Sequence, residues 1–235
     1  MLNETVPAPG WGVVALTALF AFAVSLTSVV TPPSGRRSLL RNANVLATLF
    51  HEGGHAVVIL LTGGDVSRVA ITGAGDGFTE WKHDSGLGKV LASAAGYAMP
   101  PLAGLGAAVL LHQGRVTAVL VLTLVALLFI LLFARDLLTV VLIVVVGAVV
   151  YAALRYAPGW LRIAIAYTEA WLLLTGELDG VRILVVNRRR TGYKNQKDDA
   201  AALAKRTKMP SPLWIGGWLL LNGRALWQAA PLLFP

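Results

Sequence analysis

Seven apolar runs dominate this chain, at about 11–33, 43–63, 90–111, 116–134, 137–154, 159–178 and 213–234. Each approaches the roughly 20 helical residues that cross a hydrocarbon core of about 30 Å. Only 14% of the 235 residues are charged, against roughly 25% in an ordinary soluble domain. With 56% hydrophobic residues and a mean hydropathy of +0.69, the sequence predicts an all-α polytopic membrane protein of six to seven transmembrane helices. It shows no internal repeat and no low-complexity tract. One membrane-embedded domain over 1–235 follows, with a core at about 43–186, a basic loop at 188–208 and a C-terminal span at 213–234.

The leading segment "MLNETVPAPG" has no Lys or Arg ahead of the first apolar run. A secretory signal places positive charge there, so 11–33 reads as a retained span with its N-terminus outside. Of the 20 Lys and Arg residues behind the formal charge of +8, eight lie in 188–208, "RRRTGYKNQKDDAAALAKRTK". Such a juxtamembrane cluster fits the positive-inside rule and attraction to anionic lipid. It lacks the interleaved aromatic residues of a nucleic-acid groove, so the expected partners are lipid and protein, not nucleic acid. Arg36, Arg37 and Arg41 place the loop after the first run on the same side as 188–208. Five runs separate the two loops where an even number is required, and the run at 43–63 is the expected partial or re-entrant insertion.

After that run, "GGDVSRVAITGAGDGFTEWKHDSGLG" breaks the helical pattern. Val66, Val69 and Ile71 fall in one β-branched stretch, Phe78, Thr79 and Trp81 in another, with "GAGDG" between them as turn chemistry. A short β-hairpin is expected, leaning on the membrane domain, because an isolated hairpin is marginal in water. In "AAGYAMPPLAGLGAA", small residues permit close helix approach around Pro100 and Pro101. Arg135 and Asp136 read as a tight turn between two antiparallel spans.

The run at 43–63 also contains "FHEGGHAVVILL". Ionisable groups at membrane depth are costly and mark a site. His51 and His55 are four apart, so on a helix both imidazoles can reach one ion, and Glu52 stands where a carboxylate can take a proton from water beside that ion. This is the H-E-x-x-H zinc pattern; with 4 His in the chain, chance would produce it in roughly one such sequence in a thousand. A catalytic zinc takes three protein ligands, and the sequence contains no cysteine. His83, near the hairpin, is one candidate, although it reads first as a solvent-exposed side chain. Asp179, held in the apolar "WLLLTGELDGVRILVV" with Gly180 behind it, is the stronger one.

"HEGGHA" on an early apolar helix, a hairpin after it, "AGYAMPPLAG" on the next helix and "LDG" later resemble the site-2 protease family of intramembrane zinc metalloproteases. The resemblance spans roughly 43–186, and the tail "DDAAALAKRTKMPSPLW" is similar to the ending of small bacterial members. It implies that His51, His55 and Asp179 bind a zinc ion, that Glu52 is the general base and acid, and that the hairpin at 66–81 offers its edge to substrate. The family's longer pattern before L-D-G often carries an Asn and a Pro, whereas this chain has "YTEAWLLLTGELDG". Glu177 or Glu169 is then either the stand-in for the residue beside the substrate or a packing residue at a helix end.

The expected activity is hydrolysis of a peptide bond in or near the transmembrane segment of a membrane-protein substrate, in a multi-pass protein of a bacterial plasma membrane. The alternative is a catalytically silent scaffold of the same fold that binds a partner protein. The sequence does not specify the oligomeric state.

Overall fold

The structure, a computed structural model, describes residues 6–7, 9–30, 44–73, 76–192 and 197–234. Its elements are α1 (Trp11–Val30), α2 (Val45–Leu61), β1 (Asp65–Gly73), β2 (Asp76–Lys82), α3 (Gly86–His112), α4 (Val116–Leu131), α5 (Leu137–Tyr156), α6 (Gly159–Arg190), α7 (Asp199–Thr207) and α8 (Ser211–Leu233). The fold is therefore mostly helical with one small antiparallel sheet. By length and composition, α3 and α5 are long and apolar enough to cross a membrane; α2, α4 and the first part of α1 are shorter apolar helices. Arg36, Arg37 and Arg41, which carry the sidedness of the first loop, lie outside the described residues.

Helices α3 and α6 form the centre. The former packs against α2, α6, α7 and α8, and the latter also against α1. Small residues set these approaches. A Cβ at Gly54 would stand 2.6 Å from Met99 Cβ, so α2 and α3 nearly touch there. A Cβ at Gly104 would stand 3.0 Å from the backbone nitrogen of Leu174 and join α3 to α6 equally closely. Pro100 and Pro101 are buried inside α3, which runs through them. Packing against neighbours tolerates prolines in membrane helices.

Helix starts follow local chemistry. Ser85 Oγ accepts from Gly88 N at 3.2 Å and caps α3. Asp136 Oδ1 accepts from Thr139 N at 2.9 Å and caps α5, while Asp198 Oδ1 accepts from Ala201 N at 2.9 Å and caps α7; side-chain acceptors of this kind satisfy amides that a helix start leaves without partners. The expected tight turn at Arg135 and Asp136 thus carries the cap of α5. Asp136 Oδ2 pairs across to Arg68 on β1 at 3.5 Å. Burial alone would raise the Asp136 carboxyl, but Thr139 N, Thr139 Oγ1 and Arg68 together hold it below the ordinary range.

The hairpin forms as the sequence predicts, with Val66 opposite Trp81, Val69 opposite Thr79 and Ile71 opposite Gly77. It leans on the helices through fully buried Val69 and Ile71, which join Leu49, Leu127, Ile130 and Ile143 in one apolar cluster. Val69 N donates to Phe133 O at 2.9 Å, and Val69 bridges Ala134 in parallel. The connection between α4 and α5 therefore covers the outer edge of β1 at that point.

The C-terminal half differs from the expected pattern. Helix α6 continues past 178 to Arg190, and 199–207 within the basic loop forms α7. Ala200 and Leu203 are fully buried and pack in one cluster with Tyr97, Val181, Leu184 and Trp218. Apolar docking of this short helix holds part of the basic segment onto the bundle.

Candidate metal centre

Helix α2 begins beside Asn44, whose Nδ2 donates to Gly176 O of α6 at 3.3 Å. Nearly two turns later it presents His51 and, one turn further, His55, on the face turned to α3. His55 Nδ1 lies 2.7 Å from the carbonyl oxygen of Ala92. A carbonyl only accepts, so Nδ1 carries a proton, and in the neutral ring Nε2 is then the nitrogen whose lone pair faces the interior of the site. His51 is oriented the same way: its Nδ1 is 3.2 Å from Glu177 Oε1 on α6. Its ring also meets Tyr97 edge-on, with centroids 4.5 Å apart.

Both Nε2 atoms face one oxygen. Asp199 Oδ2, at the start of α7, lies 3.4 Å from His51 Nε2 and 3.3 Å from His55 Nε2. One ligand atom from each residue falls within 4.8 Å of the other two, a group able to hold a metal ion. The fit is chemical as well as spatial. Two imidazole nitrogens and a carboxylate oxygen converging on one point are a donor set that suits a metal cation, and a tetrahedral zinc shell with bonds of about 2.0–2.1 Å has ligand-to-ligand edges of roughly 3.3 Å. Gly96 supplies the room: a Cβ there would stand 2.5 Å from His51 Nε2 and 2.4 Å from His55 Nε2.

Glu52 is buried on the adjacent face of α2. Thr79 of β2 lies against it, with Oγ1 2.7 Å from Glu52 Oε2 and 3.1 Å from Glu52 O. The hairpin is thus tied to the carboxylate. Glu52, His51, His55 and Asp199 all line a cleft of about 900 Å³, together with Gly77, Phe78, Thr79 and Trp81 of β2. Arg206 of α7 stands over the Trp81 ring at 5.9 Å and reaches Ser93 Oγ at 3.5 Å, joining α7 to the hairpin and α3.

Of the residues expected at the site, His51, His55 and Glu52 come together. Asp179 is buried on α6 outside the group of three, with Oδ1 3.7 Å from Arg182 Nη1. Glu177 reaches the site through His51, whereas Glu169 accepts from Thr123 Oγ1 at 3.0 Å, between α6 and α4. His83 is buried and structural: Nε2 is 2.8 Å from Thr62 Oγ1, and Nδ1 accepts from Ser85 N at 3.1 Å. Asp199 was not singled out by sequence reasoning. Its signal is the Asp-Asp pair opening an alanine-rich helix, a pattern that reads first as capping.

Compared with known families, the sequence matches the model described as peptidase M50B-like over residues 13–229. The chain belongs to the peptidase M50B-like family. No curated protein and no solved structure matches it. Membership in the M50B-like family supports the site-2 protease resemblance and implies a metallopeptidase associated with membranes. The matched range takes in every M50B-like element that lines the cleft, including α7 with Asp199.

Proposed function

We propose that this chain is an intramembrane zinc metalloprotease that hydrolyses a peptide bond in or near the transmembrane segment of a membrane-protein substrate. The observation that carries the reading is the shared approach of Asp199 Oδ2 to both histidine Nε2 atoms, 3.4 and 3.3 Å away, beside a buried Glu52. His51, His55 and Asp199 would hold the ion; this assigns to Asp199 the third place that the family resemblance gives to Asp179. A bound zinc ion supplies Lewis acidity, which brings water towards deprotonation near neutral pH and polarises a carbonyl.

The chain's own groups do the rest. Thr79 holds Glu52 Oε2, leaving Oε1 to take a proton from water in the cleft and to return it to the leaving amine. Glu177 and the Ala92 carbonyl keep both histidines in the tautomer that points Nε2 inward. A substrate helix hides its peptide bonds and must be drawn into an extended strand before cleavage. The outer edge of β2 suits that task, because β2 lines the cleft and β1 is covered at Val69; pairing on a free sheet edge supplies main-chain hydrogen bonds.

The reading includes six to seven membrane crossings in a bacterial plasma membrane, with lipid around α4 and α5, whose outward faces carry exposed Leu122, Val125, Leu128, Val141 and Val144. The test is cleavage of a membrane-protein substrate in detergent or vesicles by the parent and by Glu52→Gln. The variant should retain zinc and lose turnover by at least about a hundredfold. Turnover that survives in Glu52→Gln contradicts the mechanism, and a parent that holds zinc yet cleaves nothing moves the chain to the silent-scaffold alternative.

A further inference from the structure

Asp199 arrives at the histidines from α7, a helix of nine residues that needs an anchor if its first carboxylate is to hold position. The end of α6 supplies one. Three arginines follow one another there, and positive-inside bias alone accounts for such a run. It does not account for their unequal burial: Arg189 and Arg190 are exposed, while Arg188 is only 5% exposed. Arg188 Nε donates to Asp198 Oδ2 at 2.9 Å, and Arg188 Nη2 donates to Asp198 Oδ1. This is the two-pronged guanidinium–carboxylate geometry that fixes direction as well as distance. The same Asp198 caps α7 through Ala201 N, and the next residue is Asp199.

We propose that Arg188 is a positioning residue of the metal centre: by gripping Asp198 from two sides it sets the first turn of α7 so that the Asp199 carboxylate stands between His51 and His55. The inference rests on the reading of Asp199 as a metal ligand. A buried guanidinium is costly unless it is paired, and the pairing observed does more than satisfy it. It couples the last turn of α6 to the one carboxylate oxygen that faces both histidines. Ala200 and Leu203 fix the height of α7 on the bundle, and the Arg188 fork fixes its rotation.

The test is zinc affinity, by competition with a chromophoric chelator, and the visible spectrum of the cobalt(II)-loaded protein. Both use the full chain in detergent. The variants are Arg188→Ala, Asp198→Asn, Asp199→Asn and the double Arg188→Ala/Asp199→Asn, with His55→Ala as the control that must lose metal. Partners one shell out from a metal lower its affinity by roughly ten- to a hundredfold when removed, and that is the loss expected for Arg188→Ala and for Asp198→Asn. Their cobalt spectra should move to that of Asp199→Asn, and the double variant should bind zinc no more weakly than Asp199→Asn alone.

Asp198→Asn guards against simple unfolding of α7, since Asn caps a helix as well as Asp does; should Arg188→Ala fail to fold, this variant decides. Parent-like affinity and spectrum in Asp198→Asn, with Asp199→Asn weakened, overturn the positioning role alone. Full affinity in Asp199→Asn, or a parent without zinc, overturns the ligand reading beneath it.

Discussion

At the scale of single residues, the site is a set of side chains whose orientations are set by their neighbours. Ala92 O and Glu177 Oε1 accept from the two Nδ1 groups, which turns both Nε2 atoms towards the interior of the site. Glu177→Gln should therefore keep the fold and weaken zinc by roughly ten- to a hundredfold, read by chelator competition. Gly96→Ala makes a sharper claim, because its methyl would fall within 2.4–2.5 Å of His51 Nε2 and His55 Nε2. That variant should purify as a folded protein with little or no zinc by elemental analysis; a full complement would mean that the ion sits elsewhere. Thr79→Val removes the donor on Glu52, so turnover should fall by roughly ten- to a hundredfold, the worth of one hydrogen bond to a charged group, while zinc content stays at the parent level.

The H-E-x-x-H pair was legible because its partners lie within one helical turn, where spacing alone fixes geometry. Asp199 was not legible. Its approach depends on α6 running on to Arg190 and on α7 folding back, neither of which has a local periodic signal. Asp179 stood out for being an acid in an apolar run, and on α6 it is buried with Oδ1 3.7 Å from Arg182 Nη1; depth in the sequence does not determine which way a side chain faces.

At the scale of elements, the hairpin and the α4–α5 connection form one unit. The hairpin could be read from β-branched alternation flanking a glycine-rich turn, and its register agrees with that reading. What spacing could not supply was the tie from Asp136 to Arg68 and to the start of α5. Asp136→Ala should destabilise the protein by about 1 kcal/mol, the usual worth of a helix cap, measured by thermal unfolding in detergent near pH 7. The direction with pH follows from the carboxyl being held below its ordinary value. Its contribution is present in full above the unfolded carboxylate range and is lost as the pH falls through the lowered, folded value. The difference in melting temperature between parent and Asp136→Ala should therefore shrink in strong acid. A difference that grows instead would mean the carboxylate is not what stabilises the cap.

Across the whole molecule, the architecture brings a water-requiring chemistry into an apolar bundle by surrounding it with elements of different origin. Helix α2 gives the histidines and Glu52, α3 gives the glycine that leaves room, α6 gives the orienting Glu177, α7 gives Asp199 and β2 gives a strand edge along the cleft. Composition was enough to read a helical membrane-type chain, because so few charges can be buried only where they pair. Composition could not give the number of crossings, since helices such as α2 and α4, of 17 and 16 residues, fall near the limit of a spanning length.

The most direct test of the account is zinc per chain in detergent-purified protein for the parent, Asp199→Ala and Asp179→Ala, with His55→Ala as the control that must lose metal. Asp199 as the third ligand predicts about one zinc per chain in the parent and in Asp179→Ala, and a loss in Asp199→Ala. Zinc retained in Asp199→Ala and lost in Asp179→Ala would contradict it.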